Sequence, residues 1–181
     1  MNIYKLKFTV LQQEILRLLY VKSDISFTER GVAKALKVSP TAVSNSLKAL
    51  EKEKLVTVAK DVESRRLSIK LNRDNSLVIG FKRADNLKQI YESGLANFLE
   101  DSFPGANIIF FGSYSRGDDT VSSDIDIAII GKKEKNIDLK PFENMLYRKI
   151  SLNFYASMSK VHKDLRENLC NGIVLAGGIE L

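Results

Sequence analysis

The stretch FFGSYSRGDDTVSSDIDIAII, residues 110–130, joins two apolar segments of strand type through a polar loop. Gly112 and Ser113 follow the first segment, and Asp124 and Asp126 begin the second. Because side chains alternate between the two faces of a strand, both carboxylates are expected on one face. Two carboxylates that close repel each other unless a cation lies between them. The stretch therefore predicts a cation site beside the Gly-Ser turn.

The residues around this pair suit a nucleotide as well as a metal. Gly112 permits a tight turn and a close approach of the backbone, and Ser113 offers an N–H and a hydroxyl to the terminal phosphates of a nucleotide. Mg²⁺ commonly binds through one or two carboxylates together with substrate phosphates and water. We therefore expect Asp124 and Asp126 to hold Mg²⁺ against those phosphates. A merely solvated or capping Asp-x-Asp is the alternative, and the Gly-Ser turn eleven residues before Asp124 weighs against it.

This motif resembles the signature of the DNA polymerase β-like nucleotidyltransferase superfamily, in its minimal nucleotidyltransferase branch. The matching positions are Gly112, Ser113, Arg116, Gly117, Ser123, Asp124 and Asp126. The resemblance implies a small mixed β-sheet with helices on one side, and Mg²⁺-dependent transfer of a nucleoside monophosphate from an NTP to a hydroxyl. By the same likeness, the two aspartates are the catalytic and metal-binding residues, the other five matching positions bind the nucleotide, and ATP is the favoured donor.

One part of the superfamily pattern has no counterpart in this sequence. Members usually supply a third carboxylate from a later strand, and the segment ISLNFYAS places Ser151 and Asn153 where that acid is expected. Asp138 and Glu143 lie nearby in sequence, but their spacing does not assign them this role. Two functions therefore stay open. One is an enzyme that modifies a small molecule or a partner protein, and the other is a weak or inactive nucleotidyltransferase-like regulator that binds a nucleotide or a partner. A scaffold without either activity is a third alternative.

Residues 8–72 resemble the winged helix-turn-helix repressors of the MarR and ArsR type. Three helical segments precede two short alternating strands, LVTVAK and RRLSIKL, which form a hairpin wing. Ser39 followed by Pro40 predicts a well-capped start for the third helix. The resemblance implies binding of double-stranded DNA through a third helix that presents Thr41, Ser44, Asn45 and Lys48 and through wing residues Arg65 and Arg66. A protein-interaction or dimerisation module is the alternative.

Charge supports this division of the chain. Residues 1–90 contain 18 basic and 9 acidic side chains, and residues 91–181 contain 10 and 13, so the halves carry +9 and −3. A basic half is the candidate for nucleic acid. The single cysteine, Cys170, cannot form an internal disulfide, which favours the reducing cytoplasm. We expect Cys170 to be a small core residue and His162 to lie on a helix surface. No apolar run approaches the roughly 20 residues of a membrane span.

The sequence thus predicts an α+β protein with an N-terminal winged helix-turn-helix at residues 1–74 and a nucleotidyltransferase fold at residues 75–181. The whole chain is similar to archaeal proteins that fuse these two parts. A helical pattern over LVIGFKRADNLKQIYESGLANFLEDSF follows the wing, with Ala84, Leu87, Tyr91, Leu95 and Phe98 on the apolar face. We assign this helix to the core of the second domain, and a homodimer interface on it is the open alternative.

Overall fold

The computed structural model describes residues 7–60 and 67–178. The chain divides into two compact units, Met1–Val78 and Ile79–Leu181. The boundary expected from the sequence, at residues 74–75, lies in the turn before the helix that contains Val78. Among the described residues, no helix is long and apolar enough to cross a membrane.

The first unit is a winged helix. Its elements are α1 (Val10–Val21), α2 (Glu29–Leu36), α3 (Pro40–Lys52), β1 (Val56–Lys60) and β2 (Leu67–Leu71). The two strands form an antiparallel pair, from Val56 opposite Leu71 to Lys60 opposite Leu67. The wing tip and both wing arginines lie outside the described residues. The predicted winged helix-turn-helix is confirmed.

Local sequence explains where these helices begin. The hydroxyls of Thr28 and Ser39 accept hydrogen bonds from the backbone N–H groups of Gly31 at 3.1 Å and of Ala42 at 3.2 Å. Each bond satisfies one of the N–H groups that a helix leaves without a partner in its first turn. The core of this unit consists of apolar side chains from all three helices and both strands, including Ile15, Leu19, Val32, Val43, Leu50, Val56 and Ile69.

The second unit is a four-stranded mixed sheet with helices. In chain order its elements are α4 (Ser76–Glu92, which begins before the unit boundary), α5 (Leu95–Ser102), β3 (Asn107–Phe111), α6 (Gly112–Arg116), β4 (Ile125–Ile130), α7 (Lys140–Leu146), β5 (Ile150–Tyr155), α8 (Lys163–Cys170) and β6 (Ile173–Ala176). The strand order is β5-β4-β3-β6. Strand β4 is antiparallel to β3 and parallel to β5, and β6 is antiparallel to β3.

Helices cover both faces of this sheet, so the expectation of helices on one side is wrong. Ile125, Ile127 and Ile129 of β4 pack on one face with residues of α4, α5 and α7. Ala128 and Ile130 pack on the other face, in a cluster that includes buried Leu169 of α8. Strand β4 is apolar on both faces except at its start. Helices bury both faces of the strand, so only its first residues can carry polar side chains that reach solvent.

The predicted single connector helix is divided in two, and its expected buried face is confirmed at Leu95 and wrong at Ala84 and Tyr91. Gly94 adopts a left-handed conformation with φ of 78° between α4 and α5, which ends the first helix. Tyr91 and Ala84 are exposed, whereas the buried face of α4 contains the polar side chains of Lys82 and Asn86. The apolar pattern missed this part of the buried face because the two residues there are polar.

The predictions for two single residues near the C-terminus have different outcomes. The side chain of His162 is 80% exposed and precedes α8, as expected for a surface histidine. Cys170 is also exposed, so its expected place in the core is wrong. It lies at the last residue of α8, where Leu169 takes the core position instead.

Candidate nucleotide and metal site

The Gly-Ser turn and the aspartate pair meet where β3 and β4 pair. Phe111, the last residue of β3, lies opposite Asp126, and α6 starts at the next residue. Gly112 has φ of 75°, and a Cβ placed on it would collide with the carboxylate of Asp126, lying 3.1 Å from Cγ. A glycine is therefore required for both backbone conformation and space. The structure brings Gly112 and Asp126 into direct contact.

The electrostatics of the pair disfavour two free carboxylates at this place. Burial raises the pKa of the Asp126 carboxyl, the neighbouring Asp124 raises it further, and Arg116 opposes the shift. Asp126 is half-buried and Asp124 is exposed. Burial and a like charge both disfavour the ionised carboxylate, and a bound cation would relieve both. The donor set of two carboxylates is one that Mg²⁺ accepts when phosphates and water complete its shell.

The C-terminal end of the short helix α6 packs closely against α4. Gly117 caps it in a left-handed conformation with φ of 82°, and a Cβ on Gly117 would lie 2.5 Å from the carbonyl oxygen of Ile79 and 2.7 Å from the backbone nitrogen of Arg83. This glycine therefore allows α6 to pack closely on α4. Arg116, at the end of α6, is ion-paired through Nε with Asp118 Oδ2 at 3.2 Å and lies at the surface.

Ser123 shapes the loop that carries the aspartates. Its hydroxyl accepts a hydrogen bond from the backbone N–H of Thr120 at 3.0 Å. Its own N–H donates to the carbonyl of Thr120 at 3.2 Å. These two bonds close a tight turn immediately before Asp124. In this structure Ser123 thus has a structural role beside the predicted nucleotide contact.

A buried polar cluster, which the sequence patterns did not reveal, anchors the same loop. Asp119 Oδ1 contacts Lys82 Nζ of α4, and Asp119 Oδ2 lies 3.3 Å from Arg148 Nη2, next to β5. Asn86 donates from Nδ2 to Asp119 Oδ1 at 2.9 Å and to the carbonyl of Tyr114 at 2.8 Å. The side chains of Lys82, Asn86, Asp119 and Arg148 are at least 95% buried. The available signal was the i, i+4 pair of Lys82 and Asn86, in phase with Val78 and Ile90 on one helix face.

The two residues expected at the position of a third carboxylate lie on β5, beside β4. Ser151 lies directly beside Asp126 in the parallel β4–β5 pair, and Asn153 lies beside Ala128. Glu143 is held elsewhere, because its Oε1 accepts the N–H of Ile150 at 3.1 Å and its Oε2 lies 3.3 Å from the Lys140 ammonium. Within residues 7–60 and 67–178, no group of three or more acidic, histidine or cysteine side chains is placed to hold a metal.

The predicted DNA-contacting residues of the first unit lie together. Thr41, Ser44, Asn45 and Lys48 follow one another at helical spacing along α3, and each is exposed or half-buried. The opposite face of α3 carries the buried side chains Val43, Leu47 and Leu50. Arg65 and Arg66 lie outside the described residues, so their predicted DNA contacts stay predictions.

A winged helix followed by a mixed sheet with a Gly-Ser turn against an aspartate pair defines a two-part protein, a helix-turn-helix unit joined to a nucleotidyltransferase fold. Comparison with protein families agrees. The model of the MarR family matches residues 8–68, and the model of the nucleotidyltransferase domain matches residues 92–170. The chain therefore joins a MarR-family winged helix to a nucleotidyltransferase domain.

Solved structures similar to this chain include bacterial regulators. The Staphylococcus aureus MepR–DNA complex is 30% identical over 52% of this chain and 78% of that chain, with a TM-score of 0.40. MepR, a transcription regulator of the multidrug efflux pump MepA, is 31% identical over 53% and 72%, with a TM-score of 0.41. The adhesin competence repressor AdcR of Streptococcus pyogenes is 28% identical over 54% and 69%, with a TM-score of 0.42. No curated protein matches the chain.

Proposed function

We propose that this protein is a Mg²⁺-dependent nucleotidyltransferase coupled to a DNA-binding winged helix, and that it transfers a nucleoside monophosphate from an NTP, with ATP favoured, to a hydroxyl acceptor. The observation that carries the proposal is the contact between Gly112 and Asp126 inside the matched nucleotidyltransferase domain. The turn and the carboxylate pair share one small site, which is what a metal-bound triphosphate requires.

Asp124 and Asp126 are the residues that would hold the metal. The raised pKa of Asp126, caused by burial and by Asp124, supports this assignment because a cation removes both penalties. When bound, Mg²⁺ would neutralise charge on the triphosphate and on the leaving pyrophosphate.

The remaining chemistry is binding and orientation by the chain itself. The Gly112-Ser113 turn would bind the terminal phosphates through backbone N–H groups and the Ser113 hydroxyl, and Arg116 would add a positive charge. The acceptor oxygen then forms a bond to the α-phosphorus while the bond from that phosphorus to the bridging oxygen of the β-phosphate breaks. Pyrophosphate leaves with the electron pair, and the acceptor proton passes to water. Gly117 and Ser123 would hold the turn and the loop in position around the nucleotide.

For the winged helix we propose binding to double-stranded DNA by a homodimer in the cytoplasm. The match to the MarR family and the +9 charge of residues 1–90 support this part. Helix α3 would present Thr41, Ser44, Asn45 and Lys48 to the major groove, and Arg65 and Arg66 would lie near phosphates.

A second candidate function rests on a specific observation. Ser151 occupies the position beside Asp126 from which a third carboxylate would complete the metal site. A domain that binds a nucleotide without efficient turnover would then act as a regulator that senses a nucleotide or a partner protein and biases DNA binding.

Transfer of α-phosphate label from each of the four NTPs separates the two functions. The assay contains Mg²⁺ or Mn²⁺, cell extract as the source of acceptors, and the double variant Asp124→Ala/Asp126→Ala as the control. Label on an acceptor that the variant does not modify establishes the enzyme. Absence of label, with melting temperature still raised by Mg·ATP, rejects the enzyme and favours the regulator.

A further inference from the structure

Strand β5 lies at one end of the sheet and, among the described residues, has a neighbouring strand on one side only. Its six residues pair with β4 in one continuous register. The strand at the other end, β6, has four residues, and its register with β3 shifts between Ile108 and Ile109. Short or irregular strands commonly protect a sheet edge from pairing. Strand β5 has neither protection, and its sequence ISLNFY contains no charge, proline or glycine.

A backbone hydrogen bond at the end of β5 shows which of its peptide groups face the open edge. The Tyr155 carbonyl accepts the N–H of Gly131, the residue after β4, at 2.9 Å. The direction of the backbone groups alternates along a strand, so those of Ile150, Leu152 and Phe154 point away from β4. Within residues 7–60 and 67–178, no other residue bonds these groups of Leu152 or Phe154. Both positions can therefore pair with a further strand.

The first outward position of β5 is already used inside the chain. The Ile150 N–H donates to Oε1 of Glu143, on α7, at 3.1 Å. This carboxylate takes the place that the carbonyl of a neighbouring strand would occupy, which agrees with the direction assigned to the outward groups. It also limits the open edge to the C-terminal part of the strand, residues 152–156.

Two clefts adjoin this part of β5, with volumes of about 230 and 390 Å³. Each is lined by residues of β5 and of the segment 131–139, which follows β4. Phe154 lines both clefts and Leu152 the smaller one. The Phe154 ring is held by an edge contact with Phe103, with the ring centroids 5.5 Å apart. Alternate side chains of an added strand would lie beside Leu152 and Phe154, so apolar residues there would fill the clefts.

The clefts carry a positive charge. The described residues that line them include Lys132, Lys133 and Lys135 but one carboxylate, Glu134, which gives a net charge of +2. Lys133 and Lys135 are exposed, and none of the three lysines forms an ion pair with another described residue. Complementary charge favours association and disfavours partners of like charge. The open edge therefore suits an acidic partner.

A second copy of this chain fits the edge poorly. In an antiparallel β5–β5 pair around a two-fold axis, the C-terminal end of one strand lies against the N-terminal end of the other. That arrangement would bring Lys132 and Lys133 toward Lys149 of the second copy, and like charges across an interface are costly. Glu143 would also occupy part of the shared edge.

We propose that the open edge of β5 is a docking site for a partner protein, which adds an extended acidic segment to the sheet as a further strand. Backbone hydrogen bonds to Leu152 and Phe154 provide affinity, and the clefts with their lysines select apolar and acidic side chains. This docking site does not depend on the proposed nucleotide transfer, because it uses the edge of the sheet and not the aspartate pair.

Amide hydrogen exchange measured by NMR tests the addition of a strand directly. In the chain alone, the amides of Leu152 and Phe154 should exchange quickly, whereas those of Ser151 and Asn153, which face β4, should be protected. A synthetic peptide of alternating valine and glutamate is then added to saturation. We expect exchange at Leu152 and Phe154 to slow by at least about tenfold, with Ser151 and Asn153 unchanged.

Charge reversals provide the matched comparisons, with fluorescence anisotropy of the labelled peptide as the measurement. Lys133→Glu/Lys135→Glu should weaken peptide binding by about tenfold or more, and the exposure of both lysines leaves the core untouched. Lys160→Glu/Lys163→Glu changes two exposed lysines that do not line the clefts, so it should leave binding unchanged. A peptide of alternating valine and lysine should bind at least about tenfold more weakly than the acidic one.

Several results would overturn the docking site. They are absence of binding by the acidic peptide, equal affinity for the acidic and basic peptides, and binding that leaves exchange at Leu152 and Phe154 unchanged. Protection of these two amides in the chain without peptide would mean that a second copy or the chain itself covers the edge, and it overturns the docking site as well. None of these results bears on the transfer of α-phosphate label, which tests the proposed function separately.

Discussion

At the scale of single residues, the surroundings of Asp126 disfavour the charge of its carboxylate. It is half-buried, next to a second carboxylate, and its carboxyl group touches a glycine that has no side chain to shield it. A carboxylate in such a position is costly to the folded chain alone and favourable once a cation is bound. This difference yields a prediction in which stability and binding change in opposite directions.

Replacing the carboxylate with an amide, Asp126→Asn, should raise the melting temperature of the protein without metal at neutral pH. Burial and Asp124 raise the pKa of Asp126 above its ordinary value of 3.8. The folded state therefore binds a proton more readily than the unfolded chain, and stability is lost as pH rises through the raised pKa. The gain from Asn should shrink at pH values below 3.8, where the carboxyl is protonated in both states. Thermal denaturation across pH measures this.

The same two proteins can also be compared in the presence of Mg²⁺ and ATP. Mg²⁺ with ATP should raise the melting temperature of the native chain and leave that of Asp126→Asn unchanged. A variant that melts below the native protein at neutral pH would contradict the raised pKa. A variant that still responds to Mg·ATP would remove Asp126 from the metal site.

Alanine substitutions at two glycines are expected to change the free energy of unfolding in opposite directions. Gly112→Ala forces a side chain into left-handed backbone and into the Asp126 carboxylate, so it should destabilise the fold by at least about 1 kcal/mol and abolish stabilisation by Mg·ATP. Gly80 lies exposed inside α4, and a Cβ added there would meet no atom within 4 Å. Gly80→Ala should therefore stabilise by about 0.4–1 kcal/mol. Urea denaturation measures both, and equal effects would show that space at Gly112 does not matter.

At the scale of elements, one buried carboxylate connects three parts of the second unit. Asp119 belongs to the aspartate loop, Lys82 to α4, and Arg148 to the residues before β5. The charges are at least 95% removed from water, so each depends on the others for its electrostatic stabilisation. The cluster therefore fixes the loop against the helix and the strand that flank the site.

Removing the Asp119 carboxylate should lower the free energy of unfolding. Asp119→Ala leaves Lys82 and Arg148 buried with one partner fewer and is expected to lower the free energy of unfolding by about 3–5 kcal/mol. Asp118 is the matched control, because it is 47% exposed and paired with Arg116 at the surface. Asp118→Ala should cost no more than about 1 kcal/mol. Similar urea midpoints for the two variants would show that the buried cluster does not hold the unit together.

The elements also show what the sequence could and could not predict. The start of α3 was predictable because Ser39 and Pro40 specify it locally. The aspartate pair and its turn were predictable because both lie within one short segment. The face of α4 was not, since Lys82 and Asn86 are buried with partners at Tyr114 and Asp119, which lie 28 to 37 positions away in sequence. Which residue of β5 lies beside Asp126 was not predictable either, because the local sequence pattern does not fix the strand register.

At the scale of the whole molecule, the uneven charge predicts how DNA binding should depend on salt. Neutralising each DNA phosphate releases condensed counterions, so the logarithm of the binding constant falls linearly with the logarithm of salt concentration, by about 0.9 per contact. Lys48 is exposed on the face of α3 that we assign to DNA. Lys48→Ala should therefore weaken binding at low salt and reduce the slope by about one contact.

Lys48→Arg distinguishes the effect of the positive charge from that of the rest of the lysine side chain. It keeps the positive charge, so the slope should stay at the native value even if affinity changes. Fluorescence anisotropy with a labelled duplex measures all three proteins across salt. If Lys48→Ala leaves the slope unchanged, Lys48 does not contact phosphate and the assignment of this α3 face to DNA is wrong. If the native chain shows no salt-dependent binding to any duplex, the winged helix serves as a protein-interaction module, and its basic charge has to be explained by an acidic partner.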